Sequence, residues 1–318
     1  MNVSVATTPW PQLGLGGAAL GVMGAPISDS AARAVVEAAW EWGIRLFDSA
    51  PLYGGGVSEE RIGAALKGLP RDDYVLTTKT GVTRPYGQAA IPPGSTRRRA
   101  ADVWDYSRAG TRASVARSLA RLNTDRLDIV HLHDVEGGES ECMSAYAALV
   151  ELQAEAVIGS IGIGANDVDS PLRLITEARF DFVLIAGRYT LLDQSALPLF
   201  ERALSSGIRI ITGGVFNSGI LASGATPGAT FAYDPPSPDV VERVRRIEAV
   251  CQRHAVPLKA AALQFAAAHP AVSTLLLGPR SVAELEDSLA MLSHPVPAVL
   301  WADLKAEQLL PACAPTPP

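Results

Sequence analysis

The chain has 318 residues, 48% of them hydrophobic and 19% charged, which suits one large globular domain or two ordinary ones and excludes a disordered polypeptide. Lys and Arg number 27 against 33 Asp and Glu, a net charge of -6 that leaves no broad basic field for phosphodiester backbones or anionic lipid, so no nucleic-acid partner is expected. No apolar run reaches the roughly 20 residues that span a bilayer and no signal peptide opens the chain, so the expectation is a cytoplasmic protein with no membrane partner.

In chain order, short runs rich in Val, Ile and Leu predict strands at Leu13-Leu20, Ile44-Ser49, Tyr74-Thr80, Leu127-His133, Ile158-Gly164, Phe182-Ala186, Ile208-Gly213 and Thr274-Leu277. A segment with helical periodicity follows each. Eight such units predict a single α/β domain over residues 1–310, a (β/α)8 TIM barrel with an N-terminal β segment, extra helices and a lid loop after strand 3. The first helix shows how the signals agree. Ser28 caps Asp29 to Trp42, whose Ala32, Val35, Val36, Ala39 and Trp40 share a face before Gly43 ends it. Residues Thr83-Tyr106, with Pro92, Pro93, Gly94 and three consecutive arginines from Arg97, form an excursion on the face where barrels keep their active sites and read as a substrate lid. After strand seven, Asp239-Ala255 and Leu258-Ala268 are two helical patterns parted at Pro257. The proline-rich tail over residues 311–318 is expected to be disordered. Cys142, Cys251 and Cys313 are scattered, without a CxxC pair, and read as reduced, inert thiols.

In a barrel, chemistry is read from the carboxyl ends of the strands. Three consecutive units place there Asp48 and Tyr53, then Lys79, then His133. Singly, each has an ordinary explanation, as a turn cap, a loop aromatic, a solvated lysine and a core histidine; their coincidence at one end of adjacent strands is what points to a site. A lysine near a phenol is expected to lower the phenol's pKa, a carboxylate behind the lysine to keep it charged, and a histidine ring to orient a substrate oxygen. The set supplies proton transfer and oxyanion stabilisation but no nucleophile or metal, so another group must carry the redox equivalent.

With the segment from Phe47 through Asp48, Ser49, Ala50, Pro51 and Leu52 to Tyr53 and Gly54, the Thr77-Thr78-Lys79 triplet and the stretch Asp128–His133, the chain resembles the aldo-keto reductase family over about residues 12 to 292. The resemblance implies an Asp48, Tyr53, Lys79, His133 tetrad, a nicotinamide cofactor lying across the barrel mouth without a Rossmann domain, hydride transfer, and Tyr53 as proton donor or acceptor. It implies cofactor contacts from Asn166, Gly213, Phe216, Asn217, Gly278, Arg280, Ser281, Glu284, Asp287 and Ser288. The family's strand-six glutamine is replaced by Ala186 and its nicotinamide-stacking tyrosine by Gly213, with Phe216 offered as a substitute aromatic. Where NADP-preferring relatives carry cations, this chain has Gly278 and Glu284, which implies NAD in preference to NADP while leaving Arg280 able to serve the latter.

Segments near Phe182–Leu192, Asn217–Leu221 and Asp105–Ser107 resemble the branch of NAD-linked aldose dehydrogenases acting on L-fucose, L-galactose or D-arabinose at C1, a branch that includes pyridoxal dehydrogenases. The expected partner is thus a small sugar or aldehyde; pyridoxal oxidation, or reduction of another carbonyl, is the alternative, and the oligomeric state is left open. Arg84, Tyr86, Arg98, Trp104 and Tyr106 are candidates for binding sugar hydroxyls. Three rivals compete. Gly14, Gly16 and Ala19 mimic a Rossmann fingerprint, but glycines and Pro26 interrupt before a helix begins. His131 and His133 form an HxH pair as in zinc barrel hydrolases, but the remaining histidines fall in or beside helices, so no metal is expected and His131 reads as a hydrogen-bonded core residue. A cofactor-sensing, non-enzymatic barrel is the third, opposed by the complete tetrad.

Overall fold

In the computed structural model, which describes residues 9–21, 26–85, 102–136 and 138–318, the apolar runs form eight parallel strands in chain order. They are β1 (Leu13–Gly16), β2 (Leu46–Asp48) and β3 (Val75–Thr80), then, after a separate antiparallel ribbon of β4 (Val82–Thr83) and β5 (Val103–Trp104), β6 (Leu127–His133), β7 (Ile158–Ala165), β8 (Phe182–Ala186), β9 (Arg209–Gly213) and β10 (Val272–Leu277). Pairing of β1 with β10, Leu13 opposite Leu275, closes the barrel. Around it stand α1 (Asp29–Glu41), α2 (Val57–Leu66), α3 (Arg108–Leu122), α4 (Glu139–Ala154), α5 (Asp169–Glu177) and α6 (Leu197–Ser206), each after its strand or ribbon. After β9 come α7 (Ile220–Ser223), α8 (Pro238–Arg253) and α9 (Leu258–Ala267), and after β10 come α10 (Val282–Leu292) and α11 (Ala298–Ala306). The fold is the (β/α)8 barrel.

Strand β6 shows why these runs are buried on both faces. Val130 and Leu132 pack outward in the main core, whereas Ile129 joins Leu46, Phe182, Leu184, Ile211 and Leu276 in an apolar layer inside the barrel, with His131 and His133 above it on the same face. Trp10 seals the amino-terminal end, its indole 5.0 Å from Phe182 and its Nε1 donating to Thr274 Oγ1 at 2.7 Å. The described residues ahead of β1, 9–12, form no strand.

Two expectations are corrected. The first strand stops at Gly16 rather than Leu20, because Gly17 donates to the Asp48 carbonyl at 2.7 Å and lies so close to Ser58 that a Cβ would fall 2.5 Å from its Oγ. That crossing ties the ends of β1 and β2 together. The tail over residues 311–318, expected to be disordered, is packed on the barrel: Ala314 is buried and the Tyr189 hydroxyl donates to the Pro315 carbonyl at 3.5 Å. Leu309 and Leu310, buried just ahead of Pro311, anchor its start.

The base of the expected lid is the β4–β5 ribbon, fixed below by the buried Arg84–Asp102 pair (Nε to Oδ1 2.7 Å, Nη2 to Oδ2 3.0 Å). Arg84 therefore commits its guanidinium to Asp102 and not to a sugar hydroxyl. Tyr86 and Arg98, two further candidate substrate contacts, lie outside the described residues.

Candidate active site

Asp48 is the last residue of β2, and the chain then turns through residues 49–52 to set Tyr53 at the barrel mouth. The turn is held by close contact. A Cβ on Gly21 would fall 2.5 Å from the Tyr53 carbonyl carbon, and one on Gly54, at φ 66°, would fall 2.6 Å from the Gly21 oxygen. Lys79, inward on β3, donates to both Asp48 oxygens (2.8 and 2.7 Å) and to the Ser49 carbonyl (2.8 Å), so all three ammonium protons are used. Its Nζ lies 4.9 Å from the Tyr53 ring centroid, and the Tyr53 and His133 rings stand edge to face at 6.0 Å. The structure thus gathers the four expected residues at one end of the barrel.

One electrostatic expectation is reversed. Lys79 was expected to lower the Tyr53 pKa; instead burial, then the carboxylate of Asp48, Tyr233 and Asp134, push the phenol well above its ordinary value. Burial is the largest cause, and the ammonium over the ring has its protons on Asp48 and Ser49, so Asp48 offsets its charge. Tyr53 is therefore held as the protonated phenol at neutral pH. Burial, then Lys79 and Arg84, hold His133 well below the ordinary imidazole range, which keeps it neutral.

Tyr106, a candidate substrate contact, uses its hydroxyl otherwise, donating to the His133 carbonyl at 2.6 Å. The ring lies over Gly81, where a Cβ would fall 2.1 Å from its Cε1. It braces the end of β6 from beneath the ribbon. Trp104 is partly buried against the cluster of Ala50, Leu52 and Val82, on which Tyr53 also packs. His131 lies fully buried one layer below, level with Lys79 in the strand register. It was expected to be hydrogen-bonded, and the Ile163 backbone is the polar group acting on its ring, against the effect of burial; the ring lies across Gly162, where a Cβ would fall 2.3 Å from Nδ1.

The expected cofactor residues form two groups along the mouth. Near the tetrad, Asn166 donates from Nδ2 to Asp134 Oδ1 at 2.7 Å and from its backbone to Glu136 at 2.7 Å. Asn217 donates to the Gly187 carbonyl at 3.2 Å while its buried Oδ1 has no partner, and Gly213, ending β9, pairs with Ala186. At the start of α10, Gly278 is exposed and a Cβ there would meet nothing nearer than 4.0 Å, and Ser281 caps the helix by accepting from Glu284 N. Arg280 donates to Glu284 from its backbone (2.9 Å) and guanidinium (3.0 Å), and Ser288 donates to the Glu284 carbonyl at 2.7 Å. Asp287 pairs with Lys259, whose ammonium sits 5.4 Å from the Phe216 ring.

Sequence reasoning missed Lys259, Asp134, Glu136 and Tyr233. Asp134, next to the tetrad histidine, was the one with a local signal. Lys259 and Tyr233 arrive from distant segments: Tyr233 sits on a tight turn, with positive φ at Ala232 and at Tyr233, anchored by Tyr233 N donating to Ser218 Oγ at 3.0 Å.

A barrel with a buried Asp–Lys pair beneath a tyrosine and a histidine at its mouth defines an oxidoreductase of the hydride-transferring barrel class. The model of the Aldo/keto reductase family matches residues 12–307, and the chain belongs to that family. The chain is 38% identical to a D-threo-aldose 1-dehydrogenase of Pseudomonas sp over 95% of both chains, and 34% identical to a pyridoxal 4-dehydrogenase of Microbacterium luteolum over 94% of both. Among solved structures, the holo form of an aldo-keto reductase from Bacillus halodurans shares the fold with a TM-score of 0.74 at 24% identity, over 96% of this chain and 94% of that one. The protein is accordingly an enzyme using a nicotinamide cofactor. Among the described residues, no helix is long and apolar enough to cross a membrane.

Proposed function

We propose that the protein is an NAD-linked aldose 1-dehydrogenase, oxidising the anomeric C1 hydroxyl of an L-fucose, L-galactose or D-arabinose type of sugar to a lactone. The observation carrying the reaction type is the buried Asp48–Lys79 pair under Tyr53, with His133 across from it. The substrate class is supported by the likeness to the D-threo-aldose 1-dehydrogenase, over nearly the whole of both chains.

The mouth suits a dinucleotide. The unpartnered Asn217 Oδ1, the open Gly278 and the Ser281-capped start of α10 offer an acceptor, a backbone approach and helix-start N–H groups in a row. We assign Asn166, Gly213, Phe216 and Asn217 to the nicotinamide half and Gly278, Arg280, Ser281, Glu284, Asp287 and Ser288 to the adenosine half. A nicotinamide held by these residues would supply the acceptor for the hydride leaving C1. Tyr53, as phenolate, takes the hydroxyl proton, and neutral His133 donates a ring N–H to the same oxygen. Asp48 and Lys79 hold the phenol in place. Because the phenol is pushed up, oxidation should accelerate toward alkaline pH. The pairing of Arg280 with Glu284 supports NAD over NADP, since the cation that would meet a 2′-phosphate is already engaged.

Turnover of aldoses, pyridoxal and simple ketones, read as NADH absorbance, tests the reading: NADH formation with D-arabinose or L-fucose is expected. Silence on every aldose with turnover of pyridoxal would establish the second reading, which the likeness to the pyridoxal 4-dehydrogenase favours.

A further inference from the structure

Asp134 stands where the alternation of β6 breaks. Continued extension after the inward His133 would turn residue 134 outward. Instead Asp134 adopts φ 50°, a left-handed conformation that aspartate tolerates better than most residues, while its N–H donates to the Gly164 carbonyl at 2.8 Å. The turn brings its carboxylate to the same mouth as His133, with Oδ1 3.7 Å from His133 Nε2 and the side chain 15% exposed. Asn166 Nδ2 fixes it from the next strand, donating to Oδ1 at 2.7 Å, and the Tyr106 hydroxyl lies 3.2 Å from the Asp134 carbonyl oxygen. Backbone in such a conformation, held by contacts from two neighbouring segments, is the mark of a residue aimed at a task.

A separation of 3.7 Å is too long for a direct hydrogen bond, but a substrate oxygen on His133 Nε2 would place its vicinal neighbour, about one hydrogen-bond length further on, within reach of this carboxylate. An ionised carboxylate only accepts, so the matching group is a hydroxyl. In an aldose closed on itself, the oxygens nearest the reacting C1 hydroxyl are the ring oxygen on the same carbon and the hydroxyl on C2, and only the latter donates. The geometry points to Asp134 as the residue that reads the C2 hydroxyl, making the site selective for sugars over alcohols that lack the adjacent donor. This rests on the aldose reading above. The electrostatic influence of Asp134 on Tyr53 is in keeping with a carboxylate facing the phenol.

The experiment compares kcat/KM for D-arabinose, its C2 epimer D-ribose and 2-deoxy-D-ribose, which share the other stereocentres, in the wild-type enzyme and in Asp134→Asn. Asparagine keeps the tolerance for positive φ, and Asp134→Gly is a second variant that removes the side chain without backbone strain. The wild type is expected to favour D-arabinose over 2-deoxy-D-ribose by roughly ten- to hundredfold, the range for a hydrogen bond to a charged group. Both variants are expected to bring that ratio within about threefold, with D-ribose and D-arabinose converging. A wild-type ratio near one, or variants that lower both sugars equally, overturns the assignment of Asp134 while leaving the aldose reading intact. A wild type inactive on every aldose overturns both.

Discussion

At the scale of single residues, the tetrad is a stack of satisfied and unsatisfied polar groups. Lys79 makes three hydrogen bonds in a nearly dry environment, and Asp48 takes two of them, so removing either partner would leave a buried charge unmatched. Tyr53 differs, because Gly21 packs against its backbone and Cβ while its hydroxyl is the proton carrier of the proposed reaction. Tyr53→Phe keeps the ring and removes the proton carrier, so turnover is expected to fall more than about 100-fold. Steady-state kinetics beside a fluorescence titration of cofactor affinity check this, and retained turnover would remove Tyr53 from the mechanism. The upward push on Tyr53 could not be read from composition, since its first cause is burial of the phenol and its second the carboxylate of Asp48, both set by the folded mouth. Spacing alone suggested the opposite sign.

At the scale of elements, α10 shows how a helix start is tuned. Ser281 and Glu284 have capping-box spacing, but Glu284 reaches back to the Arg280 N–H and guanidinium rather than to the cap residue's own N–H. The hydrogen bonds from Arg280 draw the Glu284 carboxyl below its ordinary value even against partial burial, so it is ionised at neutral pH. An anion approaching this terminus meets a carboxylate already seated there. The wild type is expected to favour NAD over NADP by roughly ten- to hundredfold in kcat/KM, the scale of a lost charge pair plus a repulsion, and Glu284→Gln to narrow the gap by about tenfold. A wild-type advantage for NADP would show that Arg280 or Lys259 is turned to the phosphate. The β4–β5 ribbon is the other informative element. Residues 86–101, whose prolines and arginines suggested a loop excursion, lie outside the described residues, but the commitment of Arg84 to Asp102 and of the Tyr106 hydroxyl to the His133 carbonyl makes the described ribbon a brace for β6.

At the scale of the whole molecule, the barrel interior grades from an apolar floor, Leu46 to Leu276, through His131 to the mouth, and this layering links stability to pH. Burial is the first cause holding His131 and His133 well below the ordinary value of 6.5, with Lys79 next. Below about pH 6.5 the unfolded chain takes up protons that the folded chain refuses, so stability is fully retained above that pH and lost as pH falls toward the folded-state values. The slope is up to about 1.4 kcal/mol per pH unit for each histidine. Urea unfolding at pH 7.5, 6.0 and 5.0 should show the decline, and His131→Gln should reduce it. A flat profile in the wild type would contradict the burial of neutral imidazoles.

The order of the strands, the length of α1, the break at Pro257 and the four tetrad residues were legible in the sequence by itself. Each of these rests on signals local to a βα unit: strand period decides which residues face inward, and a motif of eight consecutive residues places Asp48 and Tyr53 together. Other features come from segments far apart in the chain, and only the tertiary structure decided them. Lys259 meets Asp287 across 28 residues, Tyr106 meets His133 across 27, and the tail closes over a core built from segments far upstream of it. The direction in which Asp134 points belongs to this second group, because a single backbone angle at the end of β6 overrules strand alternation, and that angle is held by Gly164 and Asn166 on the neighbouring strand and the loop beyond it. Local periodicity therefore determined which residues meet at the candidate site, and contacts between units determined their charges, partners and orientations.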